Sequence, residues 1–336
     1  MRKCLICILL ALCLLGSAAA EEISMPSTCV STGGEGSFSA VYDEESGNTY
    51  YLLPSVWGLA FYRHHPQNGW KKLANVSNAV WEMEYSDGWI FYKKSGGWSG
   101  GYSDLHALNV QTGKKVHLVK NRCSLLTAAD GEAIIYNRSS EVYERVNPET
   151  LVRTPVNWVS GYCSQTGTTF ADASGAWSFK PYGGETAALG YVSERDVYAL
   201  RPDCWVSFDW DFSRKPYGDL EIWRGGKPAL TARCDKWLMD ERYVVWYEIE
   251  QERWTTVVGG TTAYHSAEKH IKHLYIYDTM GEQDEPLCVA VPVDFRIDRG
   301  MSLVNGTAVI LTAEKWGHST IACVDLDTGE ITTLQN

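Results

Sequence analysis

Short apolar runs recur along the chain, each bounded by a cluster of Gly, Asn, Asp or Ser, and inside them β-branched and aromatic residues alternate with polar ones. Period-two alternation belongs to strands packed on one face and wet on the other, whereas helical spacing is nearly absent. The one stretch with room for a turn or two of helix is 266–273. The pattern predicts an all-β protein.

The runs repeat at a near-fixed interval. One marker is a turn followed by an apolar strand: ESGNTYYLL at Gly47, SDGWIFY at Gly88, ADGEAIIY at Gly131, ASGAWSF at Gly175, PDCWVSF at Cys204, DERYVVWY at Arg242 and VNGTAVIL at Gly306. The steps between them are 41, 43, 44, 29, 38 and 64 residues. A second marker is a hairpin turn at Gly69, Gly113, Leu151, Gly226, Gly281 and Gly329, where Gly suits the left-handed position after a type I turn. In five repeats it follows the first marker by 20 to 25 residues, and in the sixth by 39, which implies an insertion there. Each unit is therefore a four-stranded antiparallel sheet of roughly 43 residues, the size of a propeller blade. The fold expected is a seven-bladed β-propeller, with six blades as the alternative. The fourth unit is the irregular one: after Gly175 it has either three strands or a weakly marked turn near Glu194.

The strings SDGWIFY, LYIYDTMG and CVDLDTGEITTL resemble the blade signatures of secreted bacterial β-propellers of the TolB-like and low-density-lipoprotein-receptor-like type. The likeness covers most of 29–336; the Tyr-Trp-Thr-Asp motif of the receptor propellers is absent. What the resemblance implies is a binding scaffold, and a fold does not fix a function.

Met1–Ala20 reads as a secretory signal: Arg2 and Lys3, an apolar run, then Ala18-Ala19-Ala20 as the cleavage site. The domain expected is a single propeller over 21–336, exported to the periplasm, the cell surface or the medium. No other stretch is long and apolar enough to span a bilayer. Over all 336 residues the formal charge is −11, and loss of Arg2 and Lys3 makes it −13 with no basic cluster. That balance makes nucleic acid and anionic membrane surfaces poor candidates as partners, and no nucleic-acid partner is expected. A monomer without a cofactor is expected. Seven cysteines follow the signal, an odd number without metal-binding spacing, and their pairing is open.

The 14 Trp residues change the picture most. Because strand directions alternate in a meander, the loops between second and third strands emerge on the same face as the links between blades. Those loops carry Trp57, Trp98 with Tyr102, Trp210 with Tyr217, Trp254 in the insertion, and Trp316. Rings in Gly/Ser-rich loops offer an apolar face and a polar edge to a glycan or a protein segment. The plainer reading is that they cap gaps between blades, as Trp70, Trp81, Trp89, Trp177, Trp205, Trp223 and Trp246 do within strands. The expectation is a non-enzymatic module binding a glycan or peptide on this face.

Two chemical alternatives stand beside it. Asp209 and Asp211, two apart, share one side if their strand continues, and Glu248 and Glu250 do likewise; paired carboxyls are the equipment of a glycoside hydrolase. His265, His270 and His273 could hold a metal if they lay on a helix, although no Cys or paired carboxylate completes such a site. FADASGAWSF around Asp172 resembles a sialidase repeat superficially, but its spacing makes it a turn, and DLDTG at Asp325 belongs to its hairpin. A third reading is a structural scaffold in an envelope complex.

Overall fold

The computed structural model describes residues 39–336 apart from 57, 77–79, 96–102, 121–122, 159–160, 165, 210–217, 235, 251–252, 259–260, 267–269, 283, 292–300 and 316–317. The first blade is β1 (Ser39–Asp43), β2 (Asn48–Ser55), β3 (Gly58–His65) and β4 (Gly69–Val76). The second is β5 (Val80–Ser86), β6 (Trp89–Ser95), β7 (Ser103–Asn109) and β8 (Lys115–Val119). The third is β9 (Cys123–Ala129), β10 (Glu132–Asn137), β11 (Val142–Val146) and β12 (Arg153–Pro155). The fourth is β13 (Tyr162–Cys163), β14 (Gly167–Ala171), β15 (Ala176–Pro181) and β16 (Ala187–Val192). The fifth is β17 (Asp196–Arg201), β18 (Cys204–Asp209), β19 (Gly218–Arg224) and β20 (Lys227–Cys234). The sixth is β21 (Lys236–Met239) and β22 (Tyr243–Glu250), then after β23 (Arg253–Val258) and β24 (Thr261–Ser266), β25 (His270–Asp278) and β26 (Leu287–Ala290). The seventh is β27 (Met301–Val304), β28 (Thr307–Lys315), β29 (His318–Asp325) and β30 (Ile331–Gln335).

Each of the seven sheets is four-stranded and antiparallel, and they form a ring, the seven-bladed β-propeller that the repeat predicts; the described residues contain no helix. The first strand of a blade packs on the first strand of the next, β1 on β5 and β5 on β9, and β27 returns to β1. Among the described residues every sheet is cut from one continuous segment, so the ring closes by packing and no strand is exchanged. One backbone N–H crosses the closure, from Ala40 to Ser302 Oγ at 3.2 Å.

Both turn markers sit where the pattern puts them. Gly47, Gly88, Gly131 and Gly306 join first to second strands, and Gly69, Gly113, Leu151, Gly226 and Gly329 join third to fourth, all with φ between 45° and 80°. The third-to-fourth turns share a device: Asn109, Asn147 and Asp325 each aim Oδ1 at the backbone N–H groups two and three residues on. An Asx turn thus closes the loop before the left-handed residue releases the chain. Asp172 does the same for Ser174, a plain turn as its spacing implies.

The fourth blade departs from the scheme. Ser193 N–H donates to Gly175 O at 3.2 Å, as Val110 does to Gly88 O and Leu326 to Gly306 O, both at 2.9 Å. By that match β14, β15 and β16 take the places of strands one to three, and β14 packs on β17 as first strands do. No outer strand follows β16 before β17 begins; the fourth strand is the two-residue β13, added on the channel side of β14. The missing outer strand accounts for the 29-residue step between Gly175 and Cys204.

The apolar core lies between blades, where Trp89, Trp177, Trp205 and Trp246 are buried. Trp205 and Trp223 stack at 5.7 Å on adjacent strands, and Tyr191 of blade four leans on Trp223 at 4.9 Å. Trp70, Trp89, Trp177, Trp205, Trp223 and Trp246 pack as the pattern implies, and the side chain of Trp81 lies outside the described residues.

Candidate functional site

The sheet order puts every second-to-third connection at one end of the ring. Trp57, Trp98, Tyr102, Trp210, Tyr217 and Trp316 all belong to these connections and lie outside the described residues, as does Asp211. Trp254 falls on β23 and His265 on β24, as register partners in a two-stranded sheet of their own. This hairpin is the insertion implied by the long sixth interval, and it leaves blade six between its second and third strands.

Among its described residues the stretch 266–273 is strand and not helix. Ser266 ends β24, and His270–His273 start β25, which pairs with β22. His270 and His273 lie on a strand and not on a helix, so the shared helical face invoked for them does not exist; β25 bulges between its pairings Ile271–Ile249 and Leu274–Tyr247. His273 is exposed, 6.2 Å from the Tyr275 ring. Asp209 ends β18, exposed, opposite Asp219 in register and 3.9 Å from Arg195 Nε. Glu248 and Glu250 fall on β22.

Two concavities are built from described side chains. The larger, about 990 Å³, opens at the other end of the ring, between the turns of blades one and two. Asp43, Glu45, Asp87, Arg63 and Lys71 line it, so it mixes both charges over a floor of Tyr50 and Tyr85 stacked at 5.2 Å. Gly88 N–H donates to Tyr85 Oη at 3.1 Å, and burial with Asp43 nearby raises the phenol above its ordinary range. A cleft of this kind suits a polar, zwitterionic guest.

The smaller, about 500 Å³, lies along the outer strands between the same blades. Three rings in register on β6, β7 and β8 form its wall: Tyr92 stacks on His106 at 5.5 Å, and His106 on His117 at 4.7 Å. Burial, then the neighbouring His117 and Lys94, lower His106 to about 4, and burial pushes Tyr92 up to about 12. Asp104 shares the His106 strand face and reaches His117 Nε2 at 3.4 Å. Lys94 and Lys115 stand at the rim, and Lys115 Nζ donates to Asn75 O of blade one at 3.1 Å. This cluster was not among the candidates read from the sequence, yet its signal was there. The hairpin at Gly113 fixes the register of β7 on β8, and counting outward from it sets 106 opposite 117.

No protein-family model matches the chain, and no curated protein matches it. Solved structures do. Oligogalacturonate lyase in complex with manganese is 9% identical, with 94% of this chain and 97% of that one covered at a TM-score of 0.48. The β-propeller domain of the Trilobed protease from Pyrococcus furiosus, of open velcro topology, is 12% identical, with 94% and 98% covered at 0.46. Oligogalacturonate lyase from Vibrio parahaemolyticus is 7% identical, with 88% and 95% covered at 0.43. The fold assignment rests on the seven sheets themselves.

Proposed function

We propose that this chain is an exported, non-enzymatic binding module that holds a glycan or a protein segment on the face of its second-to-third loops. The observation that carries the reading is convergence: five of seven such loops bear a Trp, and the sixth blade adds the β23–β24 hairpin at the same end of the ring. Loops on a rigid ring can vary without disturbing the blades, and aromatic rings supply contact area at small entropic cost. Export rests on the Met1–Ala20 signal pattern, and kinship with TolB-like propellers on the blade strings.

Glycan-array and peptide-array binding of the wild type, of Trp98→Ala with Trp254→Ala, and of Arg63→Ala in the opposite cleft tests this. The tryptophan pair is expected to lose at least about tenfold in affinity, the change a single anchoring aromatic can bring, while Arg63→Ala binds as wild type. Binding that survives the tryptophan changes would overturn the proposal. Turnover of a bound glycan that stops in Asp211→Asn would put the hydrolase reading in its place.

A further inference from the structure

The outer half of blade two carries a cluster of donors that the proposed binding face does not use. Asp104 and His106 stand two apart on β7 and so share one face of the sheet, and His117 is the direct partner of His106 on β8. One ligand atom from each residue lies within 4.8 Å of the other two. His117 Nε2 is already 3.4 Å from Asp104 Oδ2, the spacing of about 3.4 Å that two ligands about 2.1 Å from a tetrahedral ion would have. The side chain of His117 is 46% exposed.

We propose that Asp104, His106 and His117 form a mononuclear site for a divalent transition ion of the zinc class. Two imidazoles and one carboxylate are the donor set of Zn²⁺, Co²⁺ and Ni²⁺ sites, whereas Ca²⁺ and Mg²⁺ require cages of oxygen. Three protein ligands leave a fourth position open, as in labile and catalytic zinc sites. Here the cavity of about 500 Å³ lies against both histidines, and it has room for that ligand. Lys94 and Lys115 at its rim weaken the hold on a bare dication and favour an anion, hydroxide or a carboxylate, in the open position. The competing view is that the Tyr92–His106–His117 stack is packing alone.

Calorimetric titration of the purified protein with zinc chloride at neutral pH decides between them, with Co²⁺ absorption as a second readout of an N/O ligand set. One ion per chain is expected, bound at least about tenfold more weakly by Asp104→Asn and by His117→Ala. Both substitutions are at surface-reaching side chains, and circular dichroism checks that the variants fold. The variant His265→Ala with His270→Ala and His273→Ala is expected to keep the site. No zinc binding by the wild type, undiminished binding in both blade-two variants, or loss confined to the blade-six variant would each overturn the proposal.

Discussion

Leu151 holds a left-handed backbone, φ 60°, where the matching hairpins of blades one, two and seven place Gly69, Gly113 and Gly329. An L side chain there costs about 1–2 kcal/mol, and with 51% of Leu151 exposed little packing offsets it. Leu151→Gly is therefore expected to stabilise the protein by about 0.5–1 kcal/mol, the strain relieved less the added chain entropy; a higher melting temperature in thermal denaturation is the check. Glu84 on β5 is a buried acid whose carboxyl is held well above the ordinary 4.5, first by burial and then by Glu82. A raised acid pKa contributes stability below the unfolded value and loses it as pH climbs through the folded one. The Glu84 contribution to stability should therefore fall as pH rises from 4.5, against the rise that His106, lowered to about 4, brings up to pH 6.5. Glu84→Gln should flatten that fall and exceed wild type by about 1 kcal/mol or more at alkaline pH, one pKa unit being worth about 1.4 kcal/mol; denaturant melts across pH measure it. At this scale the sequence spoke where backbone chemistry is local. The Asx turns at Asn109, Asn147 and Asp325 need only their own loop, while Glu84 is buried by distant strands that no local pattern announces.

The same divide runs through the elements. The long sixth interval exposed an insertion because the flanking markers at Arg242 and Gly281 are set by turns, and the structure fills it with β23 and β24. The stretch 266–273 looked helical only in isolation; pairing of Ile271 with Ile249 on β22 draws its second half into the blade. Tertiary pairing outweighs a weak local preference in so short a segment. Among the described residues β23 and β24 pair only with each other, so the ring does not depend on them. Replacing 251–269 by an Asn-Gly turn is expected to leave the melting temperature within about 4 °C, a change of roughly 1 kcal/mol or less in a protein of this size. The same deletion should abolish binding of whatever ligand the arrays identify. A protein that unfolds on excision would make the hairpin part of the scaffold and not of the binding face.

A ring in which no strand is exchanged among the described residues invites the view that its closure is the weakest joint, but the packing argues for another place. Val304, Val309, Leu311 and Ile321 of blade seven share one buried cluster with Val41, Leu52 and Leu53 of blade one and Met83 of blade two, so the closure is continuous core. Among the described residues the junction of blades three and four is thinner. The buried cluster at that side of blade three is Ala129, Ile134 and Val156, and a described contact to blade four is the tilted pair Trp158 and Tyr182 at 5.6 Å. Blade four itself has a two-residue β13 and no outer strand, which leaves Val192 of β16 69% exposed. Local opening follows the density of buried apolar contacts, not the position of the chain ends. Hydrogen exchange followed by mass spectrometry should therefore show β14–β16 exchanging at a lower opening free energy than β1 and β27. Leu311→Ala, which cuts a cavity into the closure at a cost of about 2–5 kcal/mol, should narrow that difference by speeding exchange in β1 and β27. Exchange led by β1 and β27 in the wild type would instead locate the weak joint at the closure and make the buried cluster there a poor guide to its strength.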